Sequence, residues 1–100
     1  MNLNFEIVPN GEELQVNLDG FLNSQSAQAF SDALIPALSG ITVLRLDMTK
    51  LQFISSAGLR VIFKARQVLG NDSKIIAVKP TADVLDVFSI TGLDRMLTIE

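Results

Sequence analysis

The serine pair Ser55-Ser56 is the part of this chain whose residue types and position suit chemistry. It follows an apolar segment and opens a stretch with the periodicity of an amphipathic helix, so it is expected at the N-terminus of that helix. Backbone N–H groups in the first turn of a helix lack intrahelical acceptors, and the helix dipole favours negative charge there. A phosphate on Ser56 would therefore be tolerated. From the residues alone, either serine could instead serve only as the N-cap of the helix.

The residues around the serine pair do not support an enzyme. A nucleophile elbow requires Gly-x-Ser-x-Gly and a histidine, whereas the segment reads Ile54-Ser55-Ser56-Ala57-Gly58 and the chain contains no histidine. A Ser–Lys pair using Lys50 or Lys64 is the formal alternative, and no further acid–base group accompanies it. The chain also lacks a Gly-x-x-x-x-Gly-Lys-Ser/Thr phosphate-binding loop. We therefore predict a binding protein without catalytic residues.

Composition limits the ligands and partners of the chain. Its 100 residues suffice for one domain over 1–100, and 48% of them are hydrophobic. Because cysteine and histidine are both absent, disulfides and the common transition-metal sites are excluded, and we expect no metal and no cofactor. The net charge of −3 argues against nucleic acid and against an anionic membrane surface. Protein partners are the remaining expectation.

The apolar segments are too short for a membrane protein. None approaches the roughly 20 residues that span a bilayer. Polar residues interrupt the apolar ones at the start of the chain, so no signal peptide is predicted. The expected location is the cytoplasm.

Hydrophobic periodicity in the first half predicts a hairpin followed by a helix. Alternation over residues 3–8 and 14–18 indicates two half-buried antiparallel strands, joined across Pro9–Glu12 by a tight turn or a short loop. The helix has Ser24 as its predicted N-cap and ends by Gly40. Pro36 is expected to kink or shorten it.

The second half predicts a right-handed βαβ unit and a third helix. Residues 41–46 and 73–78 are nearly continuous apolar runs, typical of parallel strands covered on both faces. The helix between them, about residues 57–69, has an inward stripe and an outward basic strip of Arg60 and Lys64. The predicted stripe comprises Gly58, Val61, Ile62, Ala65, Val68 and Leu69.

The ends of the third helix also carry signals. Thr81 is its predicted N-cap, Gly92 its closing residue, and a last short strand uses Leu97 and Ile99. The prediction is an α/β fold: a mixed sheet of four to five strands, hairpin first and then parallel strands, packed against three to four helices. The strand-to-helix loop of the βαβ unit carries the serine pair.

The stretch from Asp47 to Leu59 resembles the signature loop of STAS domains, the family of anti-sigma factor antagonists and of the cytoplasmic domains of sulfate transporters. The family pattern is Asp-x-Ser/Thr, a few mostly apolar residues, then Asp/Ser-Ser-Ser/Thr/Ala-Gly-Leu. The matching residues are Asp47, Thr49, Ile54, Ser55, Ser56, Ala57, Gly58 and Leu59. We expect Asp47 and Thr49 to orient the loop through side-chain hydrogen bonds.

Two further segments extend the resemblance along residues 1–100. Residues 20–23, Gly-Phe-Leu-Asn, resemble the family's Gly-x-Leu/Ile-Asp turn, and residues 90–97 resemble its closing segment. Asn23 and Ser55 stand where the best-known antagonists have Asp. The resemblance therefore implies a STAS-like single domain with two fewer carboxylates near the loop.

The resemblance also implies a function. Ser56 aligns with the family's phosphoacceptor, and Ser55 is the alternate acceptor. The unphosphorylated protein would bind an anti-sigma factor that is also a serine kinase, which releases the sigma factor. Phosphorylation would end that binding, and a serine phosphatase of the PP2C type would restore it. The predicted partner-binding residues are Asn23, Ser55, Ser56, Gly58, Leu59 and Arg60.

One alternative function stays open from the sequence. The same fold also suits an unphosphorylated scaffold subunit of a membrane transport complex, or a partner switch that controls a target other than a sigma factor. In the scaffold, the serine loop would be an interaction surface only.

Overall fold

Residues 2–100, the part of the chain that the computed structural model describes, form a β-hairpin followed by alternating helices and strands. The five strands form a single sheet in the order β1-β2-β3-β4-β5, with β1 and β2 antiparallel and the later neighbours parallel. This confirms the predicted mixed sheet, with five strands and three α-helices. The elements are β1 (Leu3–Asn10), β2 (Glu13–Leu22), α1 (Ala27–Ala37), β3 (Val43–Ile54), α2 (Ser56–Leu69), β4 (Lys74–Val78), α3 (Ala82–Thr91), a 3₁₀ turn (Leu93–Arg95) and β5 (Thr98–Ile99).

The hairpin between β1 and β2 closes through a tight turn. Asn10 pairs with Glu13, which leaves only Gly11 and Glu12 outside the strands. Gly11 has φ of +64°, a conformation that favours glycine and that two-residue hairpin turns require. Of the two connections that the sequence allowed, the tight turn is present.

The core lies on one face of the sheet, beneath the three helices. Alternate residues of β2 are buried, and they join buried residues of α1, α2 and α3 in one cluster. Each such side chain stabilises the fold by about 1.5–3 kcal/mol relative to an exposed one. The largest fully buried side chains are Phe30, Phe88, Leu14, Leu22, Leu34, Leu44, Leu46, Met48, Leu51, Ile62, Ile75 and Leu93.

The other face of the sheet is polar along β3, so the prediction that β3 is covered on both faces is wrong. Asn17 donates to Glu6 at 3.0 Å, and Arg45 donates to Glu100 at 2.9 Å across this face. The apolar run of β3 misled because β-branched residues such as Val43 suit a half-exposed sheet surface as well as a buried strand. The same prediction is confirmed for β4, where the consecutive residues Ile75, Ile76 and Ala77 are all buried.

Strand β3 is longer than predicted. It continues past Leu46 to Ile54, so the expected loop before the serines is mostly strand. The register against β2 shifts twice along this extension, which places extra residues in β3. A bulge breaks the period-two alternation by which a strand is recognised, and for this reason the sequence pattern ends early.

Hydrogen bonds between Asp47 and Thr49 stabilise the first of these two register shifts. The Asp47 carboxylate accepts hydrogen bonds from the Thr49 N–H at 3.0 Å and from the Thr49 hydroxyl at 2.7 Å. These two bonds keep the pKa of Asp47 below its ordinary value, because they stabilise the charged form. The predicted orienting role of this pair is confirmed.

Two details of the helices differ from expectation. Helix α1 begins at Ala27 with Ser26 in the N-cap position, so the assignment of Ser24 is wrong. The reason is that the side chain of Asn23 forms its own turn with the N–H groups that follow it, so the helix begins later in the chain.

The predicted position of Val68 on the inward stripe of α2 is also wrong, because its side chain is 51% exposed. It lies in the last turn of the helix and at the edge of the stripe, where a small rotation decides burial.

The remaining helix signals are confirmed. Thr81 caps α3 by accepting from the Val84 N–H, and Gly92 closes it with a left-handed φ of 78°. Helix α1 ends at Ala37, directly after Pro36, so the proline shortens the helix as expected.

Candidate functional site

The candidate site lies where β2 and β3 end side by side. Leu22 and Ile54, the last residues of the two strands, are register partners. Asn23 follows one strand and Ser55 the other, and the Ser55 N–H donates to the Leu22 carbonyl at 2.9 Å. Two of the three sequence segments that carry the family resemblance, residues 20–23 and 47–59, are therefore joined where these strands end.

Ser55 is the N-cap of α2. Its backbone is extended, with φ −96° and ψ 175°, and its hydroxyl accepts a hydrogen bond from the Gly58 N–H at 3.3 Å. Its carbonyl accepts the first bond of the helix, from the Leu59 N–H at 2.9 Å. Of the two serines, this is the one with a structural role.

Ser56 is the first residue of α2 and is exposed. Within residues 2–100 its hydroxyl takes part in no side-chain hydrogen bond, and the N–H groups of Ser56 and Ala57 have no backbone acceptor. The first turn of α2 also contains no acidic residue. An anion here would meet free donors and the favourable end of the helix dipole, which stabilises negative charge by about 0.3–1 kcal/mol at an exposed site.

Gly58 allows the first turn of α2 to pack closely against the ends of β2 and β3. A Cβ at this position would lie 2.7 Å from the Leu22 side chain and 3.0 Å from both the Ile54 side chain and the Leu22 carbonyl oxygen. Leu59 is only 6% exposed and belongs to the core. Gly58 and Leu59 are among the predicted partner-binding residues. They pack against the interior of the protein and support the site, and neither offers a side chain to a partner.

Asn23 organises the turn that leads into α1. Its side-chain oxygen accepts from the N–H groups of Gln25 and Ser26, at 3.0 and 3.1 Å. The Ser26 hydroxyl in turn donates to the Phe21 carbonyl at 2.9 Å. An aspartate would supply the same acceptor oxygen, so Asn23 keeps the geometry of the family's turn and removes its charge.

Arg60 and Lys64 project from the exposed side of α2. They border a groove of about 250 Å³ between α1 and α2, whose other polar side chains are Ser24, Gln28 and Ser31. Across residues 2–100, neither cation forms a salt bridge. The outward basic strip predicted from the sequence is confirmed as a solvent-facing feature.

An aromatic pair beside the serines was missed by the sequence analysis. The rings of Phe21 and Phe53 lie 6.4 Å apart at an angle of 38°, and Phe53 is 47% exposed. The two residues are register partners just before the strand ends. The exposure of Phe53 depends on the bulged extension of β3, and alternation along an unbulged strand does not reveal it.

Comparison with known proteins identifies the family of this chain. Residues 6–98 match the family model described as "Mlab, STAS domain". The chain belongs to the STAS domain family. The anti-sigma-B factor antagonist of Bacillus subtilis (strain 168) is 28% identical over 102 residues, which is 99% of this chain and 92% of that protein.

Solved structures share this STAS fold. An anti-sigma factor antagonist from Mycobacterium paratuberculosis superposes with a TM-score of 0.85 at 20% identity, covering 98% of this chain and 85% of that one. The antagonist SpoIIAA in its unphosphorylated form gives a TM-score of 0.78 at 16% identity, covering 97% and 87%. Its phosphorylated form gives 0.72 at 19% identity, covering 97% and 91%.

These relatives are antagonists, a class of protein that acts by binding, which supports the prediction that the chain is not an enzyme. Within residues 2–100 no group of side chains is suited to hold a metal ion. Over the same residues, no helix has the length and apolar character needed to cross a bilayer.

The two serines should respond differently to removal of the hydroxyl. Ser55→Ala should lower the free energy of unfolding by about 1 kcal/mol, because it deletes the N-cap of α2. Ser56→Ala should change it by less than about 0.5 kcal/mol, because this hydroxyl is exposed and unbonded. Urea denaturation of both variants measures the difference. Equal losses would contradict the division of roles between the two residues.

Gly58→Ala should destabilise the protein despite the higher helix propensity of alanine. Overpacking costs about 1–3 kcal/mol and the propensity gain offsets about 1 kcal/mol, so a net loss of up to roughly 2 kcal/mol is expected. Gln67→Ala, on the exposed side of the same helix, is the matched control and should change stability by less than about 0.5 kcal/mol. Thermal or urea unfolding measures both. A Gly58→Ala protein at least as stable as the wild type would contradict the close seating of α2.

Proposed function

We propose that this protein is a cytoplasmic anti-sigma factor antagonist whose partner-binding surface is centred on Ser56 and is switched off by phosphorylation of that residue. The general role is supported by membership of the STAS family and by antagonists among the relatives. The partner in this proposal is an anti-sigma factor with serine kinase activity. A PP2C-type serine phosphatase reverses the modification.

The observation that carries the proposal is the unequal use of the two serine hydroxyls. A kinase must reach a hydroxyl, and Ser56 presents one on the surface that forms no hydrogen bond with the described residues, 2–100. The Ser55 hydroxyl is half-buried and caps α2. This difference favours Ser56 as the acceptor in the proposal, with Ser55 as a structural residue.

In the forward step, the Ser56 oxygen attacks the γ-phosphorus of ATP bound to the partner kinase. A phosphate ester forms, ADP leaves and the hydroxyl proton is released. The ester adds about 1.5–2 negative charges at neutral pH. In the reverse step, the phosphatase hydrolyses the ester with water and returns the serine and inorganic phosphate.

The added charge would act on the surface and leave the fold in place. The contacts that seat α2 involve Gly58, the Ser55 hydroxyl and the Leu22 carbonyl, and none of them uses the Ser56 side chain. Binding then ends because a charged, strongly hydrated group stands in the interface.

The proposed interface extends from Ser56 in two directions along the surface. Arg60 lies on the exposed side of α2, and Phe53 provides an exposed ring at the end of β3. Aromatic and arginine side chains are the residue types that contribute most to binding at protein interfaces. Asn23, which is half-buried beside Ser55, holds the rim of this surface in position.

The test is to incubate the purified protein with each kinase-type anti-sigma factor encoded in its own genome and with Mg-ATP. We expect phosphate on Ser56, located by mass spectrometry, and no phosphate in Ser56→Ala. Phosphorylation should weaken binding by roughly tenfold or more, since like charges that face each other across an interface cost several kcal/mol. Ser55→Ala is the matched control, and it should remain a substrate.

Two outcomes would contradict the proposal. Phosphate on Ser55 in place of Ser56 would reverse the assignment of the two hydroxyls. Stable binding with no phosphate on either serine, for every kinase tested, would favour the unphosphorylated scaffold of a transport complex or another target.

A further inference from the structure

Helix α2 concentrates positive charge in an acidic chain. The protein has 8 basic and 11 acidic residues, yet α2 contains Arg60, Lys64 and Arg66 and no acidic residue. Arg66 is engaged in the fold, because its guanidinium donates to the carbonyls of Gly70 and Ser73. The other two cations are exposed and, among residues 2–100, without a salt bridge.

Ser56 and Arg60 are neighbours on the surface of this helix. Residues four apart on an α-helix have Cβ atoms about 5–6 Å from each other and lie on the same face. Lys64 is eight residues from Ser56, about 12 Å along the helix axis. A group attached to the Ser56 oxygen is therefore within reach of the Arg60 side chain, whereas Lys64 is one turn farther away.

The groove beside Arg60 holds no competing carboxylate. On the α1 side its lining residues are Ser24, Ala27, Gln28 and Ser31, all uncharged. A guanidinium binds phosphate oxygens through two parallel N–H donors, and such charge-assisted bonds are about twice as strong as neutral ones. Nothing along this wall of the groove opposes movement of Arg60 toward a phosphate on Ser56.

We propose that a phosphate on Ser56 is captured by Arg60 of the same helix. This inference rests on the proposed function, because it concerns the phosphorylated state of the same residue. Phosphorylation then changes two groups on the surface. It adds a phosphate at Ser56, and it pairs the guanidinium of Arg60, which is unpaired before. The exposed charge of the Ser56, Arg60 and Lys64 surface falls from about +2 to about 0 at neutral pH. The surface that the unphosphorylated protein offers therefore suits an acidic partner, and the phosphorylated surface does not.

The test uses protein with phosphoserine incorporated at position 56 during translation, so that no kinase is needed. The second ionisation of the phosphate is followed by ³¹P NMR as a function of pH, in salt of about 0.15 M. Arg60→Gln should raise this pKa by roughly 0.3–0.7 pH unit, because the arginine favours the doubly charged phosphate. Lys64→Gln removes the same charge one turn farther away, and it should raise the pKa by less than about 0.2 pH unit at a screening length of about 8 Å.

A third variant separates charge from donor geometry. Arg60→Lys keeps the charge and loses the forked pair of donors, so the pKa of its phosphate should lie above that of the wild type and below that of Arg60→Gln. Equal pKa values in wild type and Arg60→Gln, or equal rises in Arg60→Gln and Lys64→Gln, would overturn the capture. Either result would leave the assignment of Ser56 as phosphoacceptor unaffected, because that assignment is tested with the kinase. Absence of phosphorylation by every kinase would instead remove the proposed function, whatever the NMR titration gives.

Discussion

The close seating of α2 on the paired ends of β2 and β3 is the contact on which the site depends. With no side chain at Gly58, the first turn of the helix lies against Leu22 and Ile54. The Ser55 N–H is bonded to the Leu22 carbonyl, so the start of the helix is fixed to a strand that is not adjacent to it in sequence. Any residue in this first turn has its position set by the sheet. The exposed hydroxyl of Ser56 is held by this contact without contributing to it.

Two adjacent residues of identical type differ in how the fold uses them. The Ser55 hydroxyl accepts a hydrogen bond from the first turn of the helix, and the Ser56 hydroxyl is exposed to solvent. A modification of Ser56 therefore changes charge where no structural contact is lost. A modification of Ser55 would remove a cap that contributes about 1 kcal/mol. This difference in bonding and exposure is the physical reason for proposing Ser56, and not Ser55, as the phosphoacceptor.

How well the sequence predicts each feature depends on how far apart the interacting residues lie along the chain. Signals that act within a few residues are confirmed. They are the alternation in the hairpin, the N-cap at Thr81 and the C-terminal glycine of α3, Gly92. The extension of β3 exists because β2 runs beside it, and its register shifts hide the strand pattern. The exposed Phe53 follows from that extension and was missed for the same reason. The roles of Ser55 and Ser56 could not be separated before the position of the helix start was known.

We propose that phosphate on Ser56 alters the surface of a fold that stays the same. Amide ¹H–¹⁵N NMR spectra of the protein with serine and with phosphoserine at position 56 test it most directly. We expect shift changes confined to residues 55–60, Asn23 and the strand ends beside them, with the core amides of Val16 and Phe30 unmoved. Changes spread through the core of the sheet would show that the fold itself responds to phosphorylation, and they would contradict the account.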